Sequence, residues 1–205
     1  MNVISLWFTR FWLSTLASTA LVFGLKKRAL EIYRQIATVA PRDEASLCAV
    51  GTMLMDDGDV AGAIDAFLRL LEINPRNAEA WFDLGYIYEQ RGDDHNAERC
   101  FRESIALKPE LDRAWYGLAL VLIRRNRLRE AVDALTHNTE LQPFSPYGWY
   151  QLAMTHHHLG EIAKAWRVQE RLAGFEPKYA AALKRDLEQV APRAASPHQA
   201  VPTTT

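Results

Sequence analysis

The residues best suited to catalysis or metal binding are three consecutive histidines, His156, His157 and His158, and two cysteines, Cys48 and Cys100. Adjacent residues of a helix point about 100° apart, so the three imidazoles cannot chelate one metal ion from a shared face. The cysteines lack metal-like spacing, and we expect two buried thiols. The chain carries no phosphate-binding glycine loop and no nucleophile motif. The sequence therefore predicts a protein that is not an enzyme and that binds neither metal nor cofactor.

Composition and charge indicate a folded protein without affinity for nucleic acid. Of the 205 residues, 49% are hydrophobic, which is ordinary for a folded chain. The formal net charge of −1 provides no overall attraction to nucleic acid. The basic segment RRNRLRE, residues 124–130, spans a predicted turn between helices and is flanked by acidic segments. We therefore interpret it as a solvated turn and expect no nucleic-acid partner.

A period of 34 residues organises most of the chain. Prolines recur at this spacing, at Pro41, Pro75, Pro109, Pro143 and Pro177. Residues that tolerate a left-handed backbone recur in the same register, at Gly24, Gly58, Gly92, Asn126 and Gly160. Self-similarity at such a period predicts an array of stacked helical repeats.

Residues 81–109, WFDLGYIYEQRGDDHNAERCFRESIALKP, carry the fullest version of the pattern. Its marked positions are Trp81, Leu84, Gly85, Tyr88, Ala97, Phe101 and Pro109. On these residues the chain resembles the tetratricopeptide repeat family. Four full repeats follow in register, at 44–77, 78–111, 112–145 and 146–177. The resemblance implies an all-α fold, a right-handed superhelical solenoid of antiparallel helix pairs A and B.

The packing inside each repeat follows from residue size. Trp81, Trp115 and Trp149 are expected to be buried wedges on helix A. Small residues on helix A, such as Gly85, allow helix B to approach closely, and the recurrent proline ends helix B. Residues 178–190 are expected to form a capping helix with a polar outer face. The tail 191–205 is rich in Pro, Ala, Ser and Thr and is expected to be disordered.

The resemblance also implies a concave groove, lined by the A helices, that binds a protein or peptide. Phe82, Tyr116 and Tyr150 occupy one equivalent groove position in three successive repeats. The full set of expected groove residues is Phe82, Tyr86, Arg113, Tyr116, Leu120, Arg124, Tyr147, Tyr150 and His157. Aromatic rings beside arginines suit an apolar or amphipathic partner segment that carries an acidic residue. The alternative is that these rings pack on one another or on the chain's own ends.

The stretch FWLSTLASTALVFGL, residues 11–25, contains no charge. In the 34-residue register it is helix A of a degenerate first repeat, with helix B in 26–43. Fifteen helical residues span about 22 Å, less than the roughly 30 Å of a hydrocarbon core. Extension back to Val3 includes Arg10, which would have to snorkel. We expect residues 1–25 to form an apolar helix that contacts the membrane through 3–25 and inserts as an anchor. The alternatives are a soluble repeat helix and a cleaved signal.

The sequence thus predicts a non-catalytic adaptor of bacterial type that supports assembly of a larger complex. Lys26, Lys27 and Arg28 outweigh Arg10, which predicts an array on the cytoplasmic face of the inner membrane. The alternative is a soluble cytoplasmic subunit, regulatory or structural, whose groove is permanently filled by a partner or by a second copy. The sequence leaves the partner and the oligomeric state open.

Overall fold

The computed structural model describes residues 3–189, with side chains from Trp7 onward. Every regular element in this range is an α-helix. The helices are α1 (Val3–Val22), α2 (Lys26–Val39), α3 (Glu44–Asp56), α4 (Val60–Ile73), α5 (Ala78–Gln90), α6 (Asp94–Leu107), α7 (Asp112–Arg124), α8 (Leu128–Leu141), α9 (Pro146–His158), α10 (Ile162–Ala173) and α11 (Pro177–Gln189). The predicted all-α architecture of consecutive helix pairs is confirmed. The predicted disordered tail lies outside the described residues.

The chain divides into two compact units, Met1–Pro109 and Glu110–Thr205. In the first unit α1 pairs with α2, α3 with α4 and α5 with α6, while α2 packs on α3 and α4 on α5. In the second unit α7 pairs with α8 and α9 with α10, while α8 packs on α9. Helix α11 packs against both α9 and α10 and ends the described part of this unit.

Each passage from helix A to helix B contains one residue with a left-handed backbone. The φ angles are 72° at Gly24, 80° at Gly58, 73° at Gly92, 59° at Asn126 and 76° at Gly160. The N–H of the following residue bonds to a carbonyl in the last turn of helix A; the Asp59 N–H reaches the Leu54 carbonyl at 2.9 Å. This is the bond of a Schellman motif. The left-handed helix ends predicted from the 34-residue register are confirmed.

Small residues on helix A let large side chains of helix B reach the helix-A backbone. A Cβ atom built on Gly85 would lie 2.9 Å from Cδ1 of Phe101, and one on Gly51 would lie 2.8 Å from Cζ of Phe67. Both phenylalanines are fully buried. In the repeat where helix B carries Leu135 instead, alanine takes the small position. The size of the helix-B side chain therefore matches the space that helix A leaves.

The tryptophans of helix A are less buried than predicted. Trp149 is 8% exposed, whereas Trp81 and Trp115 are only half-buried. Trp81 donates its indole N–H to the Pro75 carbonyl at 2.9 Å, and the Trp115 ring stacks on His137 with centroids 4.5 Å apart. The indole bond does not decide the burial, because Trp149 donates to the Pro143 carbonyl at 3.0 Å and is still buried. The prediction of a fully buried wedge is therefore wrong for Trp81 and Trp115.

Helix α1 packs as the helix A of a repeat. Ala17 is fully buried and Leu13 half-buried, and both belong to a small apolar cluster with Ile32 and Ile36 of α2. Among residues 3–189 no helix, α1 included, is both long and apolar enough to cross a bilayer. The spanning form of the predicted anchor is therefore not supported.

Replacing Gly85 by alanine tests the close approach of α5 and α6. Gly85→Ala should lower the free energy of unfolding by about 1–2 kcal/mol, because overpacking against Phe101 exceeds the roughly 1 kcal/mol gained in helix propensity. Phe101→Leu should lower the free energy of unfolding less in the Gly85→Ala chain than in the natural chain, because leucine leaves room for the added methyl group. Urea unfolding of the four chains gives the coupling energy.

Gly51→Ala is the matched control, since its methyl group would meet Phe67 rather than Phe101. It should show no coupling to Phe101→Leu. Strictly additive energies for the pair Gly85 and Phe101 would mean that this ring does not set the spacing of the two helices.

Candidate functional site

The residues predicted to bind a partner stand on three A helices. Two of them, Phe82 and Tyr86, lie on α5 of the first unit. The others belong to the second unit, with Arg113, Tyr116, Leu120 and Arg124 on α7 and Tyr147, Tyr150 and His157 on α9. One side of each A helix packs against the B helix of the same repeat. The side that carries the predicted residues therefore determines what else the repeat can contact.

The face of α5 presents an accessible phenol beside a partly covered phenyl ring. Tyr86 is 43% exposed. Phe82 is half-buried and lies against Phe101, with ring centroids 6.0 Å apart and an interplanar angle of 44°. At the start of the helix, Glu79 forms an ion pair with Lys108 at 2.8 Å between Oε1 and Nζ. The accessible aromatic surface of α5 is therefore centred on Tyr86.

The two thiols differ in burial but share a raised pKa. Cys48 of α3 is half-buried, not buried as predicted, and desolvation, followed by the negative charge of Asp83, raises the pKa of its thiol. Cys100 is buried as predicted, and burial raises its pKa to about 11. Both thiols are thus protonated at neutral pH, which is unfavourable for nucleophilic chemistry.

One face of α7 carries a stripe of four side chains, in which an aromatic and an aliphatic residue lie between two arginines. Arg113, Tyr116, Leu120 and Arg124 are three or four residues apart, so they share a helix face. Arg113 and Arg124 are exposed, whereas Tyr116 and Leu120 are half-buried. At 1.5 Å per residue, Arg113 and Arg124 lie about 16 Å apart along the helix axis, with Tyr116 and Leu120 between them. This arrangement is complementary to an apolar segment that carries carboxylates.

The face of α9 is in contact with the chain's own C-terminal helix. The Tyr150 hydroxyl donates a hydrogen bond to the Asp186 carboxylate of α11. The Tyr147 ring meets the Tyr179 ring edge to face, with centroids 5.6 Å apart, and their hydroxyl oxygens are 3.4 Å apart. Tyr147 nevertheless remains 58% exposed. Tyr147 and Tyr150 therefore pack on the chain's own C-terminal helix, as the alternative interpretation of the aromatic residues predicted.

Asp186 and Tyr179 did not emerge from the sequence as site residues. Their only sequence signal is that they lie on either side of Leu183, the apolar anchor of the predicted capping helix. Leu183 is fully buried, so this anchor brings both residues of α11 to the surface of the last repeat.

The histidines of α9 do not form a site together. His157, predicted as a groove residue, is 3% exposed, and no hydrogen-bond partner for its Nδ1 is found in the described part of the chain. His156 instead places its Nδ1 2.7 Å from Oε2 of Glu161. No group of three or more potential ligands able to hold a metal ion occurs among the described residues.

The comparisons with known families match the middle of the chain. One family model, described as a TPR repeat, matches residues 51–92. A second, described as a tetratricopeptide repeat, matches residues 78–111. Both therefore include residues of the repeat 78–111, in which every marked position is present. No curated protein matches the chain.

Solved structures resemble the chain over most of its length. The crystal structure of MamA protein has a TM-score of 0.76 at 20% identity and covers 84% of this chain and 94% of its own. YrrB, described as a TPR protein with an unusual peptide-binding site, has a TM-score of 0.72 at 17% identity, with coverages of 83% and 89%. The pilF protein of Pseudomonas aeruginosa has a TM-score of 0.71 at 16% identity, with coverages of 90% and 93%. At these identities the similarity concerns the fold alone.

The contact between Tyr150 and Asp186 predicts an alkaline weakening of α11. Burial, and then the hydrogen bond to the Asp186 carboxylate, raises the pKa of Tyr150 from 10.0 to about 12. The folded chain thus holds the phenol proton more tightly than the unfolded chain. The stability that this provides is complete below pH 10 and is lost as the pH rises towards 12.

Absorbance titration of phenolate formation measures this effect. Tyr150→Phe should remove one phenol that titrates near pH 12. Asp186→Asn should lower the pKa of Tyr150, because the phenol then lies beside a neutral amide. Identical titration curves for the natural chain and the Asp186→Asn chain would show that α11 does not contact α9 in this way.

Proposed function

We propose that the chain is a non-catalytic adaptor that binds a protein segment on its A helices, as expected of an array in which residues 51–111 match tetratricopeptide repeat models. The observation that carries the proposal is the stripe on α7, where Tyr116 and Leu120 lie between Arg113 and Arg124. Aromatic residues and arginines supply much of the binding energy of protein interfaces. The side chains of the stripe therefore indicate the composition of the partner segment, which the fold alone does not.

The proposed partner segment is apolar or amphipathic and carries at least one acidic residue. Its apolar side chains would lie over Tyr116 and Leu120, where half-buried surface is removed from water at little further cost in ordering. A carboxylate would meet Arg113 or Arg124, and a guanidinium group can bind it through two parallel hydrogen bonds.

The C-terminal helix limits where this segment can bind in the second unit. Tyr147 and Tyr150 already contact Tyr179 and Asp186 of α11. A partner that used α9 would have to displace these contacts. We therefore place the binding surface of this unit on α7. In the first unit, Tyr86 is the most exposed aromatic residue of α5.

We also propose that the adaptor works at a membrane surface and holds its partner there while a larger complex assembles. The support is the set of apolar side chains that α1 exposes, including Trp12 at 67% and Val22 at 83%. Soluble proteins rarely expose a large contiguous apolar surface that has no binding role. Fractionation of cells that express the full chain tests the location, since the chain should sediment with membranes.

Truncating Tyr116 tests the binding surface. Affinity capture with the full chain, followed by mass spectrometry, identifies the partner. Tyr116→Ala should then weaken its binding by roughly thirtyfold, because truncation of a central aromatic contact costs about 2 kcal/mol. Arg113→Glu should reduce the association rate and its dependence on salt, as expected for a charge at the rim. Isothermal titration and surface plasmon resonance measure the two effects.

Phe144→Ala is the matched control, because Phe144 is 78% exposed in the same unit but lies outside α7. It should leave the affinity unchanged. Equal losses for Tyr116→Ala and Phe144→Ala, or a Tyr116→Ala chain that binds normally, would place the partner elsewhere. A partner that cannot be separated from the natural chain would instead indicate a permanently filled groove.

A further inference from the structure

Helix α1 is apolar on the side that faces away from α2. It packs through Ala17 and Ala20, which are 0% and 5% exposed. The opposite side is exposed over its length and carries Phe8, Phe11, Trp12 and Val22, with Trp7 at its edge. The Trp7 and Phe11 rings stack with centroids 5.8 Å apart, and the Phe11 and Trp12 rings meet edge to face at 6.1 Å. A helix that is apolar on both sides needs a second apolar environment.

The two threonine hydroxyl groups of this outward side are already hydrogen-bonded within the helix. The Thr15 hydroxyl donates to the Phe11 carbonyl at 3.0 Å, and the Thr19 hydroxyl donates to the Thr15 carbonyl at 2.7 Å. Hydroxyl groups bonded in this way can enter an apolar environment at low cost. These two threonines can therefore leave water while their hydroxyl groups keep a hydrogen bond.

The charge that was expected to oppose insertion lies away from this side. Arg10 is the only charged residue of α1, and its Nε forms an ion pair with Oδ1 of Asp43 at 3.0 Å. Asp43 is the N-cap of α3, so the guanidinium group is held against the array. Arg10 need not snorkel from a buried position.

Positive charge is concentrated where α1 ends. The turn exposes Phe23 and Leu25, and Lys26, Lys27 and Arg28 follow at once. The first acidic residue of the chain is Glu31. An open depression of about 520 Å³ adjoins these residues, with Leu16 and Ile32 as apolar lining and Lys27, Arg28, Glu31 and Gln35 as polar lining. An apolar surface bordered by cations is complementary to the headgroup region of an anionic lipid layer.

We propose that α1 lies in the plane of an anionic membrane surface, with its aromatic side in the boundary between headgroups and acyl chains. Lys27 and Arg28 then face lipid phosphates. No described helix suits a spanning orientation, and Trp and Phe side chains favour this boundary. In a symmetric contact, α1 of a second copy would bring the same cations and no acidic residue before Glu31, so that contact lacks complementary charge. The inference rests on the proposed membrane location and replaces a span with an in-plane contact.

Co-sedimentation of the full chain with vesicles tests this contact. The chain should bind vesicles of phosphatidylcholine mixed with phosphatidylglycerol at least about tenfold more tightly than vesicles of phosphatidylcholine alone, because Lys27 and Arg28 face the lipid phosphates. Lys27→Glu with Arg28→Glu should remove most of this preference. Phe11→Ser with Trp12→Ser should weaken binding to both kinds of vesicle by about tenfold or more, since buried apolar area is lost.

Leu141→Ser with Phe144→Ser is the matched control, because it removes exposed apolar side chains from the second unit. It should bind vesicles like the natural chain, and circular dichroism should show that all variants retain their helices. The depth of Trp7 and Trp12 is measured with brominated lipids, and Trp7→Phe with Trp12→Phe identifies their share of the signal. Bromine near the headgroups should quench them more than bromine near the methyl ends.

Three results would overturn the inference. One is stronger quenching from the methyl ends, which would mean a spanning helix. Another is vesicle binding that Phe11→Ser with Trp12→Ser leaves unchanged. The third is an absence of vesicle binding. If light scattering then showed dimers of the natural chain but not of the Phe11→Ser, Trp12→Ser variant, the apolar surface would be assigned to contact with a second copy. Partner capture is a separate measurement, so failure of the membrane contact and failure of the binding surface on α7 are distinguishable.

Discussion

The close approach of the two helices within each repeat is the constraint on which the rest of the structure depends. Phe67 and Phe101 reach the backbone of the preceding helix only because Gly51 and Gly85 carry no side chain. The left-handed residue at each passage, such as Gly92, reverses the chain within a few residues and so holds the pair together. One side of each helix A therefore packs on helix B of its own repeat, and the other side can contact another part of the chain or another molecule.

What covers that other side differs along the chain, and the differences account for the proposed functions. On α9 it meets α11, through Tyr150 and Asp186. On α7 it forms the stripe centred on Tyr116, which we propose as the partner surface. On α1 the side away from α2 exposes aromatic rings such as Trp12, which we propose as the membrane contact. The same packing within each repeat thus leaves one side that α11 contacts, one that we propose binds a partner and one that we propose contacts lipid.

The sequence predicts the structural features that recur in every repeat, but it does not predict contacts that occur at a single place in the chain. The 34-residue register gave the helix pairs and the left-handed residues, because each depends on local residue types that recur. It could not show that Tyr150 meets Asp186, since that contact involves a terminal helix without an equivalent elsewhere. Nor could it show that Arg10 pairs with Asp43, because the pair joins residues with no recurrent counterpart. The depth of Trp115 was overestimated because size indicates a wedge but not how near the core edge it lies.

Site-specific photo-crosslinking tests most directly whether the face of α7 binds the partner. A benzophenone amino acid in place of Leu120 lies on the proposed surface, whereas one in place of Arg129 lies exposed on α8, the helix B of the same repeat. In living cells, irradiation should join the partner to the chain from position 120 and not from position 129. A crosslink to the same partner from position 129, with none from position 120, would contradict the account.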